Sequence, residues 1–490
     1  MTAVTRVDCG RILPARPAGG SAPTRNPRNL GGKIIMKIQK IILALLLAIF
    51  AACGADEELG LEEEPPIYGV YEESAVEDGE ENDENEPLVE VIEVAFSPDD
   101  VFTSGRTRAE YLEDVDFLYY ILTNNFPFMG VIERRNGFDM RQAFADLRLR
   151  LETIEDIMAD RVFYAILENT LSIPAAGLGH FGIQSNVDWL VNVYGRMIPD
   201  GLDSPWVSLL DNPTTREFYQ LTDEIFDFSD LEIGEIPGEM PAEWDIVSPY
   251  NVQTDILTDG VAYVAISSFN SQFARHDTEV LLEFFREVAD FEHLIIDIRG
   301  NGGGWSGYFP QLVMMPNISE SMAANFYMLF SAHPHNMIFL NFREMESNPI
   351  DEEFLERLVY LNEDDAEMLD VYFRAEFLLE PLEEQAIFGG KIWLMVDRVV
   401  FSASELAAQM VQQTGFATIV GEPTGGDGLG IDPFIVTLPN TGIAFRFAAS
   451  YGVDSLGRNN QEFATTPDIL LPMERALEAL LEIISEGDWE

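Results

Sequence analysis

The feature that most constrains the fold of this chain is an alternation of short apolar runs with amphipathic runs that begins near Asp255. Strands are indicated by GVAYVAISSF and by HLIIDIRG, and TEVLLEFFREVADF between them has the spacing of a helix. The order strand, helix, strand then recurs in KIWLMVD, SELAAQMVQQTG and ATIVGEPTGG. Such alternation predicts an α/β domain with a parallel sheet, which we place at residues 251–475.

Other regions flank or interrupt this core. Residues 96–185 contain runs such as YLEDVDFLYYILTNNF, whose apolar spacing predicts an N-terminal helical subdomain. Residues 186–250, with aromatics, prolines and short apolar runs, indicate a small, partly β insert. The block 305–388 separates two core strands, and its acidic runs EEFLERLVYL and DDAEMLDVYFRAEFLL predict an inserted helical lid. Residues 476–490 are interpreted as a C-terminal tail.

Residues 1–53 carry a predicted targeting signal. A short basic segment after Met36 is followed by the apolar run IILALLLAIF and by small residues that lead into Cys53. The run is shorter than the roughly 20 residues that a membrane-spanning helix needs, so it indicates a secretory signal, similar to a bacterial lipobox. We therefore expect a lipid on Cys53 and a position outside the cytoplasm, at the cell membrane. An uncleaved anchor and a secreted form are the alternatives. Translation from Met36 rather than Met1 would make the preceding residues an upstream extension.

Acidic residues greatly outnumber basic ones, and this excess limits the partners of the chain. The formal net charge of -56 and the pI near 4.1 disfavour nucleic acid and anionic membrane surfaces. The most acidic stretch, residues 54–95, has too few apolar residues to fold and predicts a disordered tether. The only cysteines, Cys9 and Cys53, exclude a disulfide framework and a cysteine-based metal site. The sequence contains no recognisable metal cluster or cofactor loop, so we predict neither, and it does not determine an oligomeric state.

Three motifs follow predicted core strands. IIDIRGNGGG, residues 295–304, ends in glycines whose N–H groups could hold an oxyanion, although a tight turn has similar letters. VVFSASELAA places Ser402 where a strand enters a helix. The same stretch spells S-x-x-E, a capping box, and the roles of cap and nucleophile are compatible because a helix N-terminus carries a positive field. VGEPTGGDGLG, residues 420–430, is by itself a glycine loop.

In order and spacing these motifs resemble those of the S41 family of serine peptidases, which includes the C-terminal processing and tricorn-core proteases. The similarity extends over about Tyr111–Met473 and is greatest over Asp255–Leu471. The resemblance implies a ClpP/crotonase-like α/β core. It also implies a serine-type peptidase that acts on protein or peptide substrates, with Ser402 as its nucleophile.

The resemblance offers two kinds of base for Ser402. Processing proteases carry a lysine in a G-K-G loop, but this chain has G-D-G, with Asp427 at the lysine position. Lys391 starts the strand that leads to Ser402 and is expected at the opposite end of that strand. The tricorn-like branch instead keeps a histidine in a D-G-H-T segment, which LGHF matches at His180. Its glutamate precedes a P-D-I segment, which NQEFATTPDI matches at Glu462.

In the predicted site, Glu462 orients His180, directly or through a neighbour, and His180 deprotonates Ser402. Three backbone N–H groups are candidates for the oxyanion hole, those of Gly302, Gly303 and Ala403. Two other classes of function stay open. One is a non-catalytic relative that binds peptides or apolar ligands in the same cleft. The other is an isomerase or hydratase of the crotonase kind, for which we find no CoA site in the sequence.

Overall fold

The computed structural model of this chain describes residues 4–8, 105–153, 157–195, 204–227, 250–258, 260–382 and 386–487. The chain divides into two compact units, Met1–Arg28 with Arg106–Glu490 and, separately, Asn29–Gly105. Of the second unit only Gly105 is described. Cys53 and the predicted tether 54–95 lie outside the described residues.

The strands of the described ranges are β1 Val4–Asp8, β2 Gly105–Thr107, β3 Ile157–Ala159, β4 Gly182–Ile183, β5 Val252–Thr258, β6 Val261–Ile266, β7 His293–Asp297, β8 Met322–Phe330, β9 Asn348–Pro349, β10 Val371–Leu379, β11 Lys391–Val396, β12 Thr418–Gly421, β13 Phe434–Thr437, β14 Ala444–Phe447, β15 Tyr451–Val453 and β16 Ile469–Leu470.

The α-helices are Arg108–Asn125, Met129–Asn136, Met140–Glu152, Asp160–Leu167, Ile173–Ala175, Asp188–Gly195, Pro205–Leu210, Pro213–Tyr219, Ala274–Glu287, Pro334–Phe342, Glu352–Arg357, Glu363–Ala366, Ala403–Thr414, Asn460–Phe463 and Ala476–Glu486. Tighter or wider helical turns are Glu168–Ser172, Leu178–His180, Asp223–Phe226, Ser271–Phe273, Pro310–Met314, Met315–Asn317 and Met473–Arg475. No helix in the described ranges has both the length and the apolar composition to cross a membrane.

The central sheet has six strands in the order β16-β12-β11-β7-β6-β5. Neighbouring strands are parallel except for β5, which is antiparallel to β6. β7 is buried along its whole length and β11 along all but its first residue, as expected when both faces of a parallel sheet are covered. Met395 of β11 pairs with Asp297 of β7, so the segments that follow these two strands begin at the same sheet edge. The predicted α/β core is confirmed.

The inserted block 305–388 contains strands as well as helices. β8 pairs with β10 in antiparallel register over its nine residues, and it also pairs with β15. The run VYFRAEFLL, which the sequence analysis assigns to a helix, is β10, and the prediction for 371–379 is wrong. Its fully buried and partly buried residues mostly alternate, which is the period of a strand.

Two smaller predictions also need correction. The described part of the insert 186–250 is helical rather than partly β. Pro205 and Pro213 each open a helix, where the missing N–H costs nothing, and Asn212 caps the second helix by accepting from Thr215 N–H at 3.0 Å. The segment after residue 475 is likewise a helix rather than a tail, and its Leu480 is buried in a cluster with side chains of the central sheet.

Candidate active site

Ser402 lies in a strained turn between β11 and the helix Ala403–Thr414. After the role predicted for Ser402, we call these two segments the nucleophile turn and the nucleophile helix. Its backbone angles are φ 57° and ψ −122°, a region nearly confined to glycine. Its side chain makes no capping hydrogen bond, so the capping box suggested by the sequence is not formed. A strained strand-to-helix turn of this kind is how other hydrolases expose a nucleophilic serine.

Asn301 and Ser404 join this turn to the glycine loop that follows β7. Both residues are fully buried. Ser404 Oγ lies 2.5 Å from the carbonyl oxygen of Asn301 and 2.8 Å from that of Phe401. The side-chain oxygen of Asn301 accepts a hydrogen bond from Gly303 N–H at 2.9 Å. The two segments that begin at the edge of the sheet are therefore locked to each other.

Gly303 contacts the nucleophile turn so closely that no side chain fits. A Cβ atom there would lie 2.8 Å from Ala403 N and from Phe401 O, and 3.0 Å from Ser402 Cβ. The φ of Gly303 is also positive, at 104°. Of the predicted oxyanion-hole donors, Gly303 N–H is engaged by Asn301, as described above. Within the described ranges, no hydrogen bond is recorded from the N–H of Gly302 or of Ala403.

His180 lies in the tight turn Leu178–His180, which packs against the helical N-terminal region. A Cβ atom on Gly179 would lie 2.7 Å from the ring of Phe126 and 2.8 Å from that of Phe128. Since φ of Gly179 is 61°, glycine is required there for both space and backbone conformation. His180 itself has φ 49°.

The imidazole of His180 lies beside the nucleophile turn and contacts the loop that follows β12. Its ring centroid is 4.9 Å from that of Phe401, the residue before Ser402. Its Nδ1 atom is 2.6 Å from Asp427 Oδ2. An ionised carboxylate can only accept, so Nδ1–H donates, and in the neutral imidazole Nε2 is then the acceptor. The carbonyl of Gly426, next to Asp427, accepts from Ser402 N–H at 3.2 Å, and the structure thus brings all three residues into one region.

Glu462 is not the partner of His180 in this structure. Its two carboxylate oxygens lie 2.7 Å and 2.8 Å from Nε and Nη2 of Arg134. Arg134 also binds Asp365 at 2.6 Å, so Glu462 belongs to an ion-pair network and Asp427 takes the place predicted for it. The sequence did contain a signal for Asp427. This aspartate stands where the processing proteases carry the G-K-G lysine, and in the structure that position contacts His180.

Unusual backbone angles mark the site. Seven non-glycine residues of the described ranges have positive φ, and three of them are Ser402, His180 and Asp427, with φ of 57°, 49° and 61°. Each such residue costs of the order of 1–3 kcal/mol, and they persist only where surrounding contacts enforce them. Their coincidence at one site indicates that the surrounding structure holds the three side chains in place.

Glu405 of the nucleophile helix links this helix to the chain around residue 460. It is fully buried, and Oε1 accepts from Asn460 Nδ2 and from Thr465 Oγ1, each at 2.7 Å. Oε2 has no partner among the described residues. Burial raises the pKa of Glu405 to about 7.

The remaining candidate bases lie elsewhere. Lys391 opens β11, so it and Ser402 flank opposite ends of that strand, as predicted. His293 is buried at the start of β7, where desolvation lowers its pKa. His335 stacks on Phe447 with ring centroids 6.0 Å apart, and burial lowers its pKa to about 4. His335 is therefore partly buried and not a free surface residue.

Comparison with known proteins finds a family match within the core. Residues 260–471 match the model of peptidase family S41. No curated protein matches the sequence. Among solved structures, mature CPAF is 14% identical, with 78% of this chain and 99% of that chain covered and a TM-score of 0.48. A lipoprotein from Streptococcus agalactiae is 11% identical, with 77% and 96% covered and a TM-score of 0.37. A photosystem II D1 C-terminal processing protease is 13% identical, with 74% and 93% covered and a TM-score of 0.36.

Proposed function

We propose that this chain, whose residues 260–471 match the model of peptidase family S41, hydrolyses peptide bonds through Ser402, with His180 as general base. Asp427 is the carboxylate that orients the histidine. The observation that carries the proposal is the 2.6 Å bond between His180 Nδ1 and Asp427 Oδ2, made directly beside the strained turn that presents Ser402.

The proposed reaction begins with proton transfer from Ser402 Oγ to Nε2 of His180. The Asp427 carboxylate holds the tautomer in which Nε2 is free, and it stabilises the imidazolium that forms. Ser402 Oγ then attacks the substrate carbonyl. His180 gives the proton to the leaving amine, which leaves an acyl-enzyme. In the second half, His180 takes a proton from water as the water oxygen attacks the acyl carbonyl, and it then returns this proton to Ser402 Oγ as the acid product leaves. Help of this kind from a general base contributes roughly 10²–10⁴ in rate.

We assign the oxyanion hole to the N–H groups of Ala403 and Gly302. Ala403 is the first residue of the nucleophile helix, where the helix dipole adds a positive field. Gly302 is preferred to Gly303 because the N–H of Gly303 already donates to Asn301 at 2.9 Å. One donor of this kind typically lowers the barrier by about 2.7–4 kcal/mol.

We also propose that the peptidase works outside the cytoplasm, attached to the membrane by a lipid on Cys53. Support comes from the sequence: a basic segment, a short apolar run and small residues precede this cysteine. Metabolic labelling with an alkyne fatty acid would test it. Label in the wild-type chain but not in Cys53→Ala supports the anchor, and label in both, or in neither, contradicts it.

A fluorophosphonate probe tests the catalytic proposal. Ser402→Ala and His180→Ala are expected to lose labelling, whereas His276→Ala, at a histidine with no recorded hydrogen bond to Ser402, His180 or Asp427 among the described residues, should label like the wild type. A wild-type chain that takes up no probe would contradict hydrolysis and favour a protein that binds peptides or apolar ligands. Labelling retained in Ser402→Ala would mean another nucleophile, and labelling retained in His180→Ala would mean another base.

A further inference from the structure

One short helix, Asn460–Phe463, which we call the brace helix, contacts the turn that carries His180. The side-chain oxygen of Gln461 accepts a hydrogen bond from Gly179 N–H at 3.0 Å. Gln461 is 1% exposed, and its Nε2 has no partner among the described residues. The amide group of Gln461 therefore makes one recorded hydrogen bond among the described residues, to Gly179, the residue before His180.

The neighbouring residue of the brace helix contacts the loop that carries Asp427. Asn460 Oδ1 accepts a hydrogen bond from Gly428 N–H at 2.7 Å, one peptide unit after Asp427. The other end of the same amide donates to Glu405 of the nucleophile helix at 2.7 Å. Adjacent side chains of one helix thus hold the two segments that meet in the bond between His180 and Asp427.

The brace helix is itself held by two arginines of the helix Met129–Asn136. Arg135 donates to the carbonyl oxygen of Gln461. Arg134 binds the Glu462 carboxylate through two nitrogens, and it is paired with Asp365 on its other side. Bidentate pairs between arginine and carboxylate restrict orientation as well as distance. The brace helix therefore has one face on the active-site turns and another fixed to the N-terminal helices.

We propose that Gln461 and Asn460 are positioning residues of the peptidase, which set the geometry of His180 and Asp427 without touching substrate. This inference rests on the proposed function. Both His180 and Asp427 have positive φ, so their backbones would relax if the neighbouring peptide units were released. A displacement of about 1 Å in a catalytic group can cost about 10²-fold in rate. Glu462 acts on His180 and Asp427 only indirectly, because it anchors the brace helix to Arg134.

Substitution of Gln461 is the test, because its amide bonds only to the His180 turn. Gln461→Met keeps the length and burial of the side chain but removes the acceptor, and we expect kcat to fall roughly ten- to hundredfold with little change in KM. Gln461→Glu retains an acceptor oxygen and should recover most of the loss. The matched control is Asn317→Leu, which removes a buried amide that donates to the carbonyl oxygen of Val313 at 2.9 Å. It should lower the thermal midpoint comparably but leave kcat near the wild-type value.

Fluorophosphonate labelling rates measured beside kcat separate this inference from the proposed function. If the wild type is labelled at Ser402 and Gln461→Met is labelled and turns over at the wild-type rate, the positioning role is overturned and the proposed function stands. A wild type without labelling overturns both. If Gln461→Met does not fold, Gln461→Asn replaces it, since the shorter side chain cannot reach Gly179. Equal losses of kcat in Gln461→Met and Asn317→Leu would show a general effect of stability and overturn the inference.

Discussion

Ser402 and His180 belong to the same site but are positioned in different ways. Ser402 lies on a continuous strand, turn and helix, from β11 to the end of the nucleophile helix. His180 depends on Asp427, 247 positions away, and its turn depends on Gln461, which is 282 positions from Gly179. The nucleophile side is set by the regular core, and the base side is set by single hydrogen bonds from a distant loop and from the brace helix.

This difference indicates where the site is robust and where it is fragile. The turn at Ser402 is reinforced by the parallel sheet and by Ser404, whose buried hydroxyl bonds within the same turn. The turn at His180 packs on two phenylalanine rings but receives its orientation from polar bonds. Removal of one polar partner should therefore change catalysis more than stability on the base side, whereas on the nucleophile side both should change together.

The largest effect is expected from Asp427→Asn. The amide keeps the size of the side chain but can present a donor to Nδ1, which favours the wrong tautomer of His180. In a serine protease with the corresponding exchange kcat falls by about 10⁴, and we expect a loss of roughly 10³–10⁴ here. Steady-state hydrolysis of a fluorogenic peptide measures it, and circular dichroism should show an unchanged fold.

Glu462→Gln is the counterpart that distinguishes the observed partner from the one expected from sequence. Because Glu462 binds Arg134 rather than His180, its loss of charge should reduce kcat by no more than about tenfold. A loss for Glu462→Gln as large as that for Asp427→Asn would return Glu462 to the role of orienting carboxylate.

The next effect in size is expected from Gly303→Ala on the nucleophile side. The new methyl group would lie 2.8 Å from Ala403 N and must displace the turn or the glycine loop. We expect fluorophosphonate labelling to slow by roughly 10²–10³, the range for loss of an oxyanion donor, together with lower stability. Gly389→Ala is the control, since a Cβ atom there meets nothing within 4 Å. Normal labelling of Gly303→Ala would show that the two segments need not touch.

The smallest effect concerns Glu405, which joins the two sides. Its pKa is about 7 in the folded chain but near its usual 4.5 after unfolding. The folded state therefore binds more protons between these values, and the free energy of unfolding falls as pH rises through this window. At about 1.4 kcal/mol per pKa unit, the free energy of unfolding should fall by roughly 3 kcal/mol across this window because of Glu405.

Urea unfolding at pH 5 and pH 8 checks this contribution. Glu405→Gln carries no titrating group there, so its stability relative to the wild type should increase with pH. Glu474→Gln, at an exposed residue, should follow the wild type at both values. If the difference between wild type and Glu405→Gln does not change with pH, burial does not shift this carboxyl.

The comparison also explains which parts of the site were predictable from sequence. Ser402 and the glycine loop follow strands with strong apolar patterns, and parallel strands bring their carboxyl ends to one edge. His180 was found only through the family resemblance. Its partner was missed because the choice between Asp427 and Glu462 depends on where Arg134 lies, which no local pattern encodes. β10 was assigned to a helix because acidic helical residues precede it, although its own residues alternate.

The positive φ angles at Ser402, His180 and Asp427 lower the stability of the folded chain. Glycine at any of the three would relax the main chain while deleting the chemistry. Selection for thermal stability alone would therefore favour glycine at these positions, and the proposed hydrolysis would be lost before the fold. The strain at these three positions is therefore stability that the chain forgoes if it is to carry out the proposed hydrolysis.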